Sequence, residues 1–152
     1  MTAIDGPQLD TAFLEDWGER FAAAWNGHDP DAVIALCTDD IRWSDPALPG
    51  SPAAGKPAVR DFAAFTFTAF PDFRVEERES LYISWTEPMA LCPYRMTGTV
   101  AGSRDAGIAP GAAAMEIDGI DRWIFRDGLL CRYDTYYDHV EMMRQVTGGG
   151  LV

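Results

Sequence analysis

MEIDGIDRWIFRDGLLCRYDTYYD, residues 115–138, reads as two strands joined by a tight turn. Met115, Ile117, Gly119, Asp121, Trp123 and Phe125 share one parity, and in a pleated strand every second side chain points to the same face. Arg126-Asp127-Gly128 supplies the turn of a hairpin, and the chain returns over Leu129–Tyr137. On the return strand Tyr133, Thr135 and Tyr137 fall on one face, and Asp134, Tyr136 and Asp138 on the other. The Tyr133 set is read as facing inward.

Working outward from the hairpin, two further extended stretches precede it. Phe73 to Trp85 alternates apolar and polar residues, with Glu77 and Glu79 interrupting the apolar parity, which predicts a bulge or an exposed end there. After Glu87-Pro88, a long strand is expected over Met89–Val100, and Ala101–Ala113 is a Gly/Ala/Pro-rich loop. Towards the N-terminus the period changes to that of helices. Phe13, Trp17, Phe21 and Trp25 recur every four residues within an amphipathic helix over Leu9–Trp25. Asp29-Pro30 offers a cap and a first-turn proline for a short second helix with Val33, Ile34, Leu36 and Cys37 buried, closed by Asp39-Asp40. A short strand, Ile41–Asp45, leads through the loop Pro46–Lys56 to a third helix that Pro57 opens and Pro71 closes. A short helix near Val140–Gln145 completes the pattern. Helices first and hairpin-linked strands afterwards describe an α+β domain, a curved antiparallel sheet wrapped over three N-terminal helices, with a short C-terminal helix. The expected organisation is a flexible segment 1–8, one cone-shaped domain over 9–146 and a flexible tail 147–152.

Composition narrows the function. Twenty-four acidic against twelve basic residues give a formal charge of −12, which repels nucleic acid and anionic membrane surfaces. The three cysteines, Cys37, Cys92 and Cys131, are odd in number and lie in apolar runs, as in a reduced, cytoplasmic protein. The sequence shows no secretory signal and no 18-residue apolar run, so a soluble protein is expected. Two histidines, His28 in a turn and His139 after the last strand, read as surface or capping residues, and neither a metal site nor a Ser-His-Asp triad is expected. No cofactor-binding fingerprint occurs.

Two acids stand out. Asp45 follows Ile41 and Trp43 on one apolar face, and Asp121 lies between Ile117 and Trp123 on another. An ionised carboxylate on such a face costs several kcal/mol unless it is hydrogen-bonded, paired or neutralised, and a functional cavity is one place where that is tolerated.

The runs RFAAAWNGHDPDAVIAL (20–36), TDDIRWSDPALPG (38–50), GKPAVRDF (55–62) and FRDGLLCRYDTYYD (125–138) resemble the nuclear-transport-factor-2-like superfamily, which includes ketosteroid isomerases, limonene epoxide hydrolases and SnoaL-like polyketide cyclases. The resemblance spans roughly Phe13 to Gln145. It implies that Asp45 corresponds to the general base of ketosteroid isomerase and Asp121 to its protonated oxyanion-hole aspartate. Phe21 stands where that enzyme has an oxyanion tyrosine, and it has no proton to donate. Against the epoxide hydrolases, Trp43 and Asp45 take the places of a tyrosine and an asparagine. Arg95 matches the arginine there, while Thr97 and Thr135 replace the two acids. Against the SnoaL-like cyclases, Asp134 is a further candidate for proton transfer.

The expected site therefore has Asp45 and Asp121 as acid/base groups. Phe21, Trp25, Trp43, Phe62, Arg95, Thr97, Trp123, Tyr133, Thr135 and Tyr137 are expected to contact a small hydrophobic organic substrate such as a polyketide or an enone. Acid/base isomerisation or cyclisation without a cofactor is the leading reading. A non-catalytic ligand-binding or dimerisation module and an altered epoxide hydrolase-like enzyme are the alternatives. The resemblance also implies pairing of two copies through the sheet, with Tyr136 contributing.

Overall fold

The computed structural model describes residues 9–48, 50–101 and 113–148. Residues 1–8, the end of the glycine tail and most of the 101–113 loop, read above as flexible or irregular, lie outside the described residues.

Helix α1 runs Thr11–Asn26, started by the Asp10 carboxylate accepting from the Ala12 N–H at 3.0 Å. Helix α2, Pro30–Ala35, is capped by Asp29 and carries proline in its first turn, as its sequence demands. Asn26 ties the end of α1 to the sheet, because its side chain donates to Val75 O and accepts from Val75 N–H at 3.0 and 2.8 Å. After strands β1 (Cys37–Ser44) and β2 (Ala53–Ala54) comes helix α3, Lys56–Ala69. Strands β3 (Arg74–Glu77), β4 (Tyr82–Ile83), β5 (Met89–Thr99), β6 (Ala114–Arg126) and β7 (Leu129–Tyr136) follow, then helix α4, His139–Val146.

The strands form one sheet in the order β2-β1-β7-β6-β5-β3, with β4 also pairing β5. Its long strands β5, β6 and β7 are antiparallel neighbours joined in chain order. β1, in contrast, pairs with β7 in parallel, placing Trp43 beside Tyr133 and Ser44 beside Asp134. The sheet is therefore mixed and mostly antiparallel. The tight Asp127-Gly128 turn dictates the β6–β7 pair, whereas β1 is joined to β7 by no hairpin, and its place follows from burying Cys37 against Leu130 and Trp43 against Tyr133.

Two element boundaries differ from the sequence reading. Cys37 belongs to β1 and not to α2, because Leu130 of β7 takes the neighbouring backbone: its N–H donates to Leu36 O at 2.9 Å, and its carbonyl accepts from Thr38 Oγ1. The Phe73–Trp85 stretch breaks into β3 and β4 at the acidic interruption, and Trp85 ends 85% exposed.

The core lies between α1 and the inner face of the sheet. Trp17 meets Trp123 and Phe125 edge-on, with ring centroids 4.8 Å apart in both pairs, and Phe21 stacks on Trp17. Among the described residues the indole N–H groups of Trp17, Trp25 and Trp43 are buried without an acceptor, so this cluster is held by apolar burial and ring contact. Cys37 and Cys92 are buried free thiols, while Cys131 is only half-buried and so is not the core residue its apolar run suggested. Among the described residues no helix is long and apolar enough to cross a membrane.

Candidate active site

The helices do not fill the inner face of the sheet. A cavity of about 680 Å³ remains, bounded by α1, α3, α4 and the inward residues of β1, β5, β6 and β7. Its size falls within the usual range of about 300–1,000 Å³ for small-molecule sites. Asp45 and Asp121 both line it. Asp121 sits mid-strand in β6, opposite Thr135 of β7 and Cys92 of β5. Asp45 follows the last pair of β1 with β7, Ser44 against Asp134, and so falls level with Thr135. The two acids are thus about two strand spacings apart, on the order of 10 Å between backbones, with their carboxyls turned into one space.

Each acid is held by a phenol. Tyr133 Oη donates to Asp121 Oδ1 at 2.6 Å, and Tyr137 Oη donates to Asp45 Oδ1 at 2.6 Å. Asp45 Oδ1 also accepts the Ala47 N–H at 2.8 Å, an interaction that fixes the turn after β1. Tyr133 lies on the inward parity of β7 and Tyr137 directly follows the strand; the Tyr133 ring is clamped against Trp43 at a centroid distance of 3.6 Å.

The environments of the two acids differ. Burial pushes the Asp121 carboxyl up to about 7, against hydrogen bonding from Tyr133 and weaker support for the charged form from Thr135 and Trp123; the negative charge of Asp45 raises it further. Asp45 is half-buried. Its carboxyl is also raised by burial, opposed by the Tyr137 hydroxyl, the Ala47 amide and the charge of His139. The same burial pushes the phenols of Tyr94, Tyr133 and Tyr137 well above their ordinary range, so they serve as neutral donors. Below about pH 7 Asp121 therefore carries its proton in the fold, and burial displaces the Asp45 carboxyl in the same direction.

Of the other residues expected from the sequence, Phe21, Trp25, Trp43, Phe62, Trp123, Tyr133 and Tyr137 line the cavity. Thr135 is buried behind it, its hydroxyl 2.6 Å from Tyr94 Oη. Arg95, Thr97 and Asp134 do not reach it. Arg95 lies on the outer face of β5 with Thr97, and its guanidinium grips Asp118 at 2.8 and 3.1 Å with Glu116 alongside. Asp134 faces outward from β7 between Arg122 and Arg132, at 2.6 and 3.1 Å. Burial opposes its charge, but the two guanidiniums outweigh that and hold it below the usual carboxylate range.

Tyr94 is the main residue the sequence reading passed over. It shares the inward parity of β5 with Ala90, Cys92 and Met96. That small and apolar parity was the signal, and following Arg95 and Thr97 instead selected the opposite face. Tyr94 pairs with Gly119 on β6, and a Cβ at Gly119 would lie 2.5 Å from Tyr94 Oη and 2.7 Å from its Cζ. The glycine therefore makes room for the ring to cross towards Thr135. His28 bonds the Phe73 carbonyl through Nε2 at 2.8 Å, a structural tie. His139, contrary to its reading as a surface residue, lines the cavity beside Tyr137. Among the described residues no group of three His, Cys, Asp or Glu side chains comes together as a metal-binding set.

The sequence pattern of the SnoaL-like domain matches residues 18–133, which include both acids and Tyr133. No functionally curated protein matches the chain. Among solved structures the chain is similar to TsrD from Streptomyces laurentii, with 20% identity, a TM-score of 0.74 and coverage of 93% of this chain and 99% of that one. It is similar to a protein with a ketosteroid isomerase-like fold from Catenulispora acidiphila in complex with trimethylamine, with 18% identity, a TM-score of 0.72 and coverage of 86% of this chain and 92% of that one. It is also similar to a protein from Jannaschia sp. CCS1 assigned as a SnoaL-like polyketide cyclase, with 16% identity, a TM-score of 0.75 and coverage of 97% and 100%. At such identities these likenesses carry the fold and nothing finer.

Proposed function

The chain belongs to the SnoaL-like domain family, within the nuclear-transport-factor-2-like superfamily, and from that premise we propose that it is an acid/base enzyme acting on an uncharged carbonyl compound of polyketide or enone type, as an isomerase or cyclase. One observation carries the proposal: Asp45 and Asp121 line a single apolar cavity, each oriented by a tyrosine hydroxyl at 2.6 Å. In its ionised form Asp45 removes a proton from the carbon next to a carbonyl. Asp121, in its neutral form, donates a hydrogen bond to the oxygen on which negative charge then gathers. The enolate either regains the proton from Asp45 at another carbon, which is isomerisation, or attacks a second carbonyl carbon of the same molecule. In the second case a carbon–carbon bond forms, and the new alkoxide takes a proton from Asp45, which regenerates the carboxylate. Phe21 leaves that position of the first helix without an oxyanion donor, and Tyr133, Tyr137 and Tyr94 supply the nearby hydroxyls instead.

The test is hydrogen–deuterium exchange at the α-carbon of 2-tetralone, followed by proton NMR in heavy water. Asp45→Asn is expected to slow enzyme-dependent exchange by about 10²–10⁴-fold, the usual contribution of a positioned base. The wild-type rate should also fall above a pH of about 7, as Asp121 loses its proton. Exchange that Asp45→Asn leaves unchanged would remove the base assignment and favour a ligand-binding module.

For assembly, two copies pair through the outer sheet face. Ile120 and Tyr136, partners across β6 and β7, are 44% and 57% exposed and adjoin Leu91 and Pro93 in one shallow outer depression. Exposed apolar side chains grouped in this way are a common mark of protein contact.

A further inference from the structure

The cavity extends well beyond the two acids. From Asp121 the inward face of β6 continues back through Ile117 to Met115, six residues away, and β5 runs beside it through Met96 to its end near Val100. At a rise of about 3.3 Å per residue that distance is about 20 Å. Phe70 at the end of α3 closes one side of this far end, its ring 3.1 Å from where a Cβ on Gly98 would stand. Met142 and Val146 of α4 close another.

The two ends differ in chemistry. The polar groups Asp45, Asp121, Tyr94, Tyr133, Tyr137 and His139 gather at one end. The far end offers carbon and thioether sulfur. Thr66 and Thr68 also line the cavity, but each hydroxyl is spent on the helix backbone, donating to Phe62 O and Ala64 O at 3.0 Å. Methionine side chains are flexible and polarisable, and they adapt to chains of varied shape. Among the described residues neither arginine nor lysine lines the cavity, whereas Glu76 and Glu77 do. A carboxylate or phosphate ester entering it would meet the acids Asp45 and Asp121 at the polar end, where His139 is the one described lining side chain that can carry positive charge.

We propose that the end of the cavity formed by Phe70, Met96, Val100, Met115, Met142 and Val146 is a subsite for the apolar tail of an elongated, uncharged substrate whose carbonyl lies at Asp45 and Asp121. The placement of the carbonyl rests on the acid/base reading above; the tail subsite is tested by binding alone.

The probes are the methyl ketones from 2-pentanone to 2-decanone, with decanoate as the charged counterpart. Their affinities for the intact protein are measured by displacement of the neutral dye N-phenyl-1-naphthylamine at pH 8. Burying a methylene is worth ~0.8 kcal/mol, so affinity should rise about fourfold per added carbon. Decanoate should bind at least tenfold more weakly than 2-decanone. Met115→Phe and Val146→Trp, which shorten the far end from a strand and from a terminal helix, should abolish the gain for long chains while 2-pentanone binds as before. That retained binding also reports that the variants are folded. A wild-type affinity that does not depend on chain length overturns the proposal, as does a length dependence that survives in either folded variant. Decanoate binding as well as 2-decanone removes the requirement for an uncharged ligand. Loss of exchange activity in Asp45→Asn has no bearing on these affinities, so failure of the subsite and failure of the acid/base assignment are read separately.

Discussion

Replacing Asp121 by Asn should change how the stability of the protein depends on pH. The Asp121 carboxyl has an ordinary value of 3.8 and is raised by burial to about 7 in the fold. Between those two values the folded protein keeps a proton that the unfolded chain has lost, so stability falls as pH rises through this window. Below about pH 4 both states are protonated and the contribution is complete; above about pH 7 both are ionised and it is lost. The difference of about 3 pH units corresponds to about 4 kcal/mol at 1.36 kcal/mol each. Asp121 is only 5% exposed, so solvent screening takes little from that figure. Against a total stability of roughly 5–15 kcal/mol for a domain, the effect is large enough to measure. The groups facing Asp121 are Tyr133, Thr135, Tyr94 and, across the cavity, Asp45. The tyrosines stay neutral throughout the window, and Asp45 titrates in both proteins. The assay is urea unfolding of wild type and Asp121→Asn at pH 4 to 8. The stability of the wild type relative to the variant should fall by about 4 kcal/mol across that range. Parallel curves would refute the reasoning, because they would mean that Asp121 is ionised in the fold at the same pH as in the unfolded chain.

Two further outcomes follow from the packing of the sheet. Gly119→Ala places a Cβ 2.5 Å from Tyr94 Oη and 2.9 Å from the Tyr136 carbonyl oxygen, so it should destabilise by about 1–3 kcal/mol in urea unfolding, the range for overpacking, and Tyr94→Leu in the same chain should recover part of that loss. Ile120→Lys puts a charge on the outer face at an exposed position; light scattering should show the wild type as a dimer and this variant as a monomer, and a monomeric wild type would end the pairing proposal.

The sequence makes the helical layer and the hairpins legible because their signals are local. Four-residue spacing of Phe13, Trp17, Phe21 and Trp25, the Asp29-Pro30 cap and the Asp127-Gly128 turn each act within a few residues. Asp45 and Asp121 are legible for the same reason, as acids that break an apolar parity. Arg95 and Thr97 went astray because both parities of β5 carry apolar residues. Only the facing strand distinguishes them: Asp118 awaits Arg95 on the outside, and Gly119 leaves space for Tyr94 on the inside. Asp134 shows the converse, a buried acid whose partners Arg122 and Arg132 lie on the outer face and take no part in the cavity. The far end of the cavity was equally hidden, since no local signal in the sequence tells that α4 and β6 leave a gap between Met142 and Met115.

The parallel pairing of β1 with β7 has a consequence for the life of the chain before it is folded. Asp45 and the Tyr137 hydroxyl that orients it are 92 residues apart in sequence, and Trp43 waits as long for the ring of Tyr133. During synthesis, the helices and the first strand emerge while the wall that would enclose Asp45 has yet to be made. Contacts of such long sequence separation form late, after the entropy of closing the intervening loop has been met. A nascent or truncated chain that lacks β7 and the residues after it thus presents an unshielded Asp45 and the bare edges of β1 and β6, with neither a closed cavity nor a phenol to hold the carboxylate. The enclosed cavity and the completed sheet arrive together, and a copy of the protein whose cavity is closed has, by that fact, finished folding.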